Sequence, residues 1–394
     1  MSKKKILMLT YNVINKGTYH RAFHLAKILE NNGYAIDIIT TSKENKFKIK
    51  QYYSDQVRII EMPDLLNGSL RSGWDIWNTC RRLLWLLNKK YDLIHTFDSR
   101  PTVLVPSIFL HKIKNIPLIM DWADWFGKGG SIEQRTNKYI KFFLRPIETF
   151  FEEIYRTSVD FNTIICNPLI DRALKLGVEK HKIILLPNGC DTKFIKKIDK
   201  RMAKKAFGFS DQHMIIGHVG TIFNDDARFA VKAFDKLHKL NSNIVLLLIG
   251  YCPFDLRSLS EFPDAIYVEN NIIDDDIGSL LSCCDVGWLP LNNSIANIGR
   301  LPLKLFDFIS AGLPIVSTNV GDVSFYIENY QIGIATDVDE LKFVSNTYNL
   351  LLNPQLQNLF SNNELRIAEN ELNWREVGKK LIPIYNSQIL KANE

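Results

Sequence analysis

The sequence predicts an α/β protein built from two doubly wound parallel sheets in series, and three observations carry that expectation. The chain has 394 residues, more than a single hydrophobic core ordinarily organises. Short unbroken apolar runs alternate with helical patterns, as in parallel strands covered on both faces. The alternation pauses at a Lys-rich stretch, residues 196–205, and restarts near residue 212.

Taken in order, residues 6–9 read as a strand, 12–18 as a glycine-bearing loop, 19–31 as a helix that Gly33 ends, and 35–40 as the next strand, a βαβ unit. Further strands are expected at 93–95, 118–120, 163–166 and 183–186. The second half gives strands at 215–219, 244–249, 266–268, 286–289 and 315–317, with a helix at 227–240 after Gly220. No repeat and no low-complexity tract interrupts them. Two Rossmann-like domains facing across a cleft result, with ligands expected at the carboxyl ends of the strands.

Composition excludes several classes. At 46% hydrophobic and 23% charged residues, with a mean hydropathy of −0.08, the chain is neither disordered nor fibrous. Apolar runs such as 244–249 are too short to span a bilayer. Lys3, Lys4 and Lys5 precede an apolar run that ends at Thr10 without a small-residue cleavage site, so this segment is read as a first strand and not a signal peptide, and a cytoplasmic location is expected. The six cysteines have no CxxC or framework spacing, as expected of buried thiols, and structural zinc is not expected. Up to residue 195 there are 30 Lys+Arg against 19 Asp+Glu, and beyond it 19 against 24. A basic half suits nucleic acid, an anionic membrane or a phosphorylated substrate. Nucleic acid is disfavoured, because the cations are scattered and neither an aromatic platform nor a recognition-helix module is present.

The richest stretch is CDVGWLPLNNSIANIGRLPLKLFDFISAGLPIVSTNVG, 284–321. A strand ends at Pro290, a polar loop follows, and Pro302 opens a helix as a first-turn residue. Lys304 and Asp307 stand three apart on one face of that helix. Free N–H groups and a positive dipole at the helix start, with the Lys304 charge, suit a diphosphate, and Asp307 one turn deeper suits ribose hydroxyls. An ordinary surface pair is the plainer alternative. Asp274, Asp275 and Asp276 could suggest a metal triad, but acids before a helix at 277–283 serve as caps and dipole partners, and no metal is expected.

The segment 300–318, LPNGCDTKFI at 186–195, and the opening KILMLTYNVINKGTYHRAFHLAKILENNGYAIDIIT resemble family 4 of the retaining glycosyltransferases of the GT-B fold. The resemblance implies a metal-independent enzyme without a cofactor. Its domain at 1–195 would bind an acceptor and its domain at 196–373 a nucleoside-diphosphate sugar, while the segment 374–394 would cross back to the first domain. It also implies that Lys304 holds the diphosphate, that Asp307 holds the ribose, and that Gly220 and Thr221, in HVGTI, form the phosphate loop. Where the family commonly has an acid eight positions before Asp307, this chain has Gly299, and Arg300 is a candidate for added positive charge on the diphosphate.

In the first half, Gly17 lies where the family places a glycine near the donor phosphates, or else relieves a tight turn. Arg21, one turn into the next helix, and Asp98 in HTFDSR are candidates for contacting the acceptor. Related enzymes carry an active-site histidine in this region, and His95 is its nearest counterpart, with a core role as the plainer reading. The loop DWADWFGKGG resembles that of several lipopolysaccharide and capsule transferases, which makes Asp121 or Asp124 the candidate for assisting the acceptor hydroxyl. Trp122 and Trp125 suit stacking on sugar rings or simply core packing.

Residues 70–90 and 138–151 mix Lys and Arg with Trp, Phe and Leu, a composition suited to an anionic membrane interface or to core helices with basic outer faces. The combined expectation is a retaining hexosyltransferase of polysaccharide biosynthesis, peripheral at the inner face of the plasma membrane. It would move a sugar from a nucleotide sugar to a lipid-linked or cell-surface saccharide. The alternatives are a sugar-nucleotide epimerase on the same fold and a non-catalytic sugar-nucleotide-binding subunit.

Overall fold

In the computed structural model, which describes residues 3–66, 73–135, 137–270 and 276–392, the first apolar runs form a sheet of eight strands. The elements are β1 (Lys4–Thr10), α1 (Thr18–Asn31), β2 (Tyr34–Thr41), β3 (Lys50–Ser54), β4 (Val57–Met62), α2 (Ile76–Leu86), β5 (Leu93–Phe97), α3 (Pro101–Lys114), β6 (Leu118–Trp122), α4 (Lys138–Glu153), β7 (Phe161–Ile164), α5 (Asn167–Lys175) and β8 (Ile183–Leu185). Their order is β3-β4-β2-β1-β5-β6-β7-β8. All neighbours are parallel except the edge pair β3·β4. The order in which successive strands are added reverses between β1 and β5, the switch point of a doubly wound fold. Strands β3 and β4 were not expected from the sequence: β3, KQYYS, is a mostly exposed edge strand whose polar pattern differs from the apolar runs beside it.

A second sheet forms from α6 (Lys200–Ala206), β9 (Met214–Val219), α7 (Asn224–Leu240), β10 (Ile244–Ile249), β11 (Ile266–Glu269), α8 (Ile277–Cys283), β12 (Val286–Leu289), α9 (Ile295–Ile298), α10 (Leu303–Ala311), β13 (Ile315–Thr318), α11 (Val323–Tyr330), β14 (Gly333–Thr336), α12 (Glu340–Leu351) and α13 (Pro354–Asn370). The order is β11-β10-β9-β12-β13-β14, parallel throughout, with its switch point between β9 and β12. Strand β10, IVLLLI, is buried along its whole length, as a central strand between two helical layers must be. Trp288 of β12 is fully buried beneath α12, and its Nε1 donates to Thr347 Oγ1 at 3.0 Å. Burying such a side chain contributes about 1.5–3 kcal/mol only if its N–H finds an acceptor, which Thr347 supplies. On the other side Gly287 lets the Phe308 ring lie directly on β12, since a Cβ there would come within 2.9 Å of it. That close approach seats α10 against the sheet.

The chain divides into two compact units, Met1–Pro187 with Trp374–Glu394, and Asn188–Asn373. The boundary after 187 replaces the one expected after 195, because residues 188–195 are tied into the second unit. Asn188 Nδ2 donates to Leu301 O at 2.9 Å, Cys190 N to Leu372 O at 2.6 Å, and Asp191 N to Ser310 Oγ at 3.2 Å. The last segment forms α14 (Trp374–Lys379) and α15 (Leu381–Lys391) and packs on the first unit, with Trp374 stacked on His24 of α1 at 4.9 Å.

The cysteines are all thiols, but Cys80 is exposed and Cys252 only partly covered, so burial accounts for four of the six. Asp274 and Asp275 lie outside the described residues. Asp276 stands at the N-cap of α8 without a side-chain capping bond, which corrects the capping role expected of it. Among the described residues no helix is long and apolar enough to cross a membrane.

Candidate functional site

The second unit gathers most of the expected donor residues at its switch point. β9 ends at Val219 and Gly220 follows with φ +79°, a left-handed conformation that glycine adopts without strain. Helix α10 begins at Leu303, one residue later than expected, with Pro302 as its extended N-cap. Pro302 makes no side-chain capping bond, and Leu305 N donates to Pro302 O at 3.1 Å, which leaves the Leu303 and Lys304 N–H groups at the helix start without an intrahelical acceptor. Lys304, in that turn, reaches back over the end of β9. Its Nζ lies 2.9 Å from His218 Nε2 and 3.0 Å from Thr221 O, and its Cε lies 3.8 Å from where a Cβ on Gly220 would stand.

These contacts fix protons. His218 Nδ1 lies 3.1 Å from Trp288 O and must donate to it, so Nε2 carries the lone pair that accepts from Lys304. Burial, with Lys304 beside it, holds the His218 pKa well below the usual histidine value, so the ring is neutral. The Lys304 ammonium has three N–H donors; among the described residues His218 and Thr221 take two, which leaves the third for a ligand. Burial lowers the Lys304 pKa to about 8. Arg300 is close enough to add to that lowering; its guanidinium stands 5.8 Å from the Phe223 ring centroid, and its Nε donates to Ala296 O at 2.9 Å.

Asp307 lies one turn along α10, partly buried, and burial raises its pKa to about 7. Two further groups shape the site and were not singled out in the sequence. His218 is a lone polar residue at the end of an apolar strand, which was the available signal. Asp226 is buried in the first turn of α7, where its Oδ1 accepts from Asn292 N at 2.8 Å and Asn297 Nδ2 at 3.2 Å and so ties the loop after β12 to α7. Only the fold could reveal that tie, because the partners are 66 and 71 residues apart.

The candidates in the first unit fare differently. Asp121, at the end of β6, is fully buried. Its Oδ2 accepts from Arg21 Nε at 2.9 Å, and its Oδ1 accepts from Arg21 Nη2 at 2.9 Å and Thr163 Oγ1 at 2.5 Å. Arg21 is buried too and donates onward to Leu186 O at 2.6 Å and Pro187 O at 2.9 Å. His95 is fully buried between Thr163 Oγ1 at 3.1 Å and the Tyr385 hydroxyl of α15 at 2.7 Å, and burial lowers its pKa to about 3. The register pairs Asp121 with Thr163, and the Thr163 hydroxyl also meets His95 of β5, so side-chain hydrogen bonds link three core strands.

Four expectations are therefore corrected. Asp121 and His95 do not stand where they could touch a substrate, and Arg21 neutralises Asp121 and ties the 186–187 carbonyls instead of meeting an acceptor. Trp122 is buried core: its Nε1 donates to Glu152 Oε1 at 2.9 Å, and the Arg156 guanidinium stacks 4.3 Å from its ring. Trp125 is more open but is occupied, with Arg172 stacked at 4.1 Å and its Nε1 bonded to Lys128 O at 3.0 Å.

Asp98 follows β5 with φ +114°, strained for a side-chain-bearing residue, and is buried with its Oδ1 accepting from Ser99 N at 2.5 Å, so its acceptor role is not favoured. Asp124 stays partly accessible. Gly17, the N-cap of α1, is exposed with φ +51°; a Cβ there would come within 2.8 Å of the Asn12 side chain, which caps Thr18 N at 3.0 Å. The tight turn is sufficient reason for this glycine.

Residues 17–194 match the model of Glycosyltransferase Family 4, and residues 213–353 match that of Glycosyl transferases group 1. A chitobiosyldiphosphodolichol beta-mannosyltransferase of Candida albicans is 23% identical over 292 residues, 68% of this chain. The match spans 60% of that relative's length. Sucrose-phosphate synthase from Thermosynechococcus elongatus superposes over 100% of both chains with a TM-score of 0.75 at 15% identity. HepE from Anabaena, in complex with UDP-glucose, superposes over 97% of this chain and 99% of its own with a TM-score of 0.70 at 12% identity. At such identities the two structures speak for the fold.

Proposed function

The chain belongs to family 4 of the GT-B glycosyltransferases, and from that premise we propose that it transfers a hexose from a nucleoside-diphosphate sugar, with retention at the anomeric carbon, to a lipid-linked or cell-surface saccharide in polysaccharide biosynthesis. The observation that carries this reading is Lys304 fixed at the switch point of the second unit, with one N–H donor left for a ligand. HepE is a relative in fold solved with UDP-glucose, which supports a nucleotide sugar as donor. The Candida relative is a mannosyltransferase named for a diphosphodolichol-linked saccharide, which supports a lipid-linked acceptor.

The chemistry is one of charge. As the anomeric bond breaks, negative charge grows on the diphosphate, and Lys304, Arg300 and the N–H groups at the start of α10 would stabilise it. Gly220 and Thr221 would let the phosphates approach the end of β9, and an ionised Asp307 would accept from the ribose hydroxyls. We assign the donor to the second unit and the acceptor to the first, where Asp124 is the carboxylate left accessible for the acceptor hydroxyl. The two cations make a divalent metal unnecessary, so turnover should survive a chelator. We place the enzyme peripherally at the cytoplasmic face of a membrane.

Incubation with candidate nucleotide sugars and no acceptor tests the reading. Slow donor hydrolysis supports a transferase, inversion at C2 an epimerase, and binding without turnover a non-catalytic subunit. Retention is tested by the anomeric configuration of the product.

A further inference from the structure

Helix α4 turns its apolar stripe to solvent and its acids into the fold, the reverse of what an amphipathic helix in a water-soluble domain does. Tyr139, Phe142, Phe143 and Phe150 fall on one face by their spacing, and they are 81%, 74%, 66% and 54% exposed. Ile140 and Ile147 widen that face. On the opposite side Glu148 and Glu152 are buried, with Arg135 3.7 Å from Glu148 and Arg172 3.1 Å from Glu152. Glu153, the acid nearest the outward face, is paired with Arg172 at 2.5 Å. Lys138 and Arg145 flank the stripe on one side, Lys141 lies behind them in the row of Glu148, and Glu133 offsets only part of their charge through Lys141 at 3.7 Å and Arg145 at 2.7 Å.

A contiguous aromatic face of this kind is a docking surface, and its chemistry selects the partner. Two copies of the chain meeting through it would bring like-charged edges together, whereas anionic headgroups neutralise them. Sixteen residues make a rod about 24 Å long, too polar on one side to span a bilayer but suited to lying along its surface. We propose that α4 is the membrane-docking element of this protein, seated parallel to an anionic bilayer with its aromatic face at the headgroup boundary and its cations among the phosphates. The neighbouring stretch at 70–90 contributes less: residues 70–72 lie outside the described residues, and Leu86 of α2 is buried in the core of the first unit.

Flotation of the full chain tests this, on vesicles of phosphatidylcholine mixed with phosphatidylglycerol and on phosphatidylcholine alone. The protein should float with the mixed vesicles, release as salt is raised, and lose binding by about tenfold or more in Phe142→Ser/Phe143→Ser. Those side chains are exposed, so the variant should keep its circular dichroism and its melting temperature. No flotation on mixed vesicles, or equal binding to phosphatidylcholine alone, overturns the proposal. So does a dimer that the double variant abolishes while nothing floats. Because flotation requires no turnover, these outcomes leave the sugar-transfer reading untouched.

Discussion

If Lys304 grips the donor diphosphate as an ammonium ion, donor affinity must follow its protonation. Burial puts its pKa at about 8, so the binding form predominates below that value and is lost as the pH rises through it. With only the protonated form binding, the apparent Kd scales as 1 + 10^(pH − 8), which gives roughly fivefold weaker binding at pH 9 than at pH 8 and a further tenfold per unit beyond. The acid side has the opposite sign. Asp307 titrates at about 7, and its ionised carboxylate accepts from ribose, so affinity should also fall as the pH drops through 7. Replacing Lys304→Met removes one charge-assisted hydrogen bond, worth about 1.5–3 kcal/mol or about 10- to 150-fold in Kd, and should flatten the alkaline limb alone. Asp307→Asn should flatten the acid limb alone. Calorimetric titration with the preferred sugar nucleotide reads both limbs. A wild-type Kd that stays constant from pH 8 to pH 9.5, or a Lys304→Met variant that keeps the alkaline limb, refutes the assignment.

Arg300→Ala should weaken the donor several-fold by removing the second cation; unchanged affinity removes Arg300 from the site. Arg21→Ala leaves the Asp121 carboxylate buried and uncompensated, a loss of about 3–5 kcal/mol. It should therefore lower the melting temperature by ~6–20 °C, and a variant that melts like wild type but has lost turnover would restore a catalytic role to the pair. Glu364 of α13 is fully buried, neither carboxylate oxygen is hydrogen-bonded among the described residues, and burial raises its pKa well above the usual value. The unfolded chain therefore holds fewer protons than the folded one above the ordinary glutamate pKa, and stability drains away as pH rises. Glu364→Met should stabilise the protein by about 1–3 kcal/mol, more at pH 8 than at pH 4.5, as read by denaturant titration at the two pH values. Equal destabilisation at both would mean that the carboxyl has a partner.

Much of the architecture was legible because parallel strands buried on both faces are apolar without interruption. The runs at 6–9, 244–249 and 286–289 appear as β1, β10 and β12 within a few residues of their expected ends. The polar edge strand β3 escaped, since nothing in KQYYS separates an edge strand from a loop. The Lys304–Asp307 spacing was readable for a related reason: both sit on one helix, and i, i+3 geometry is local.

What the sequence by itself determined, then, is whatever depends on neighbours along the chain: the two doubly wound units, the strand ends and the single helix start bearing Lys304. Only the tertiary structure decided whether a polar side chain at a strand end faces a ligand or another strand. His95 and Asp121 carry the residue types of a catalytic pair, yet Thr163, Tyr385 and Arg21, drawn from elsewhere in the chain, occupy their polar atoms. His218, by contrast, looked like strand filler and proved to orient Lys304. The reason is that hydrogen-bonding capacity is a property of a residue, whereas the partner that uses it is set by long-range packing, which no local pattern encodes.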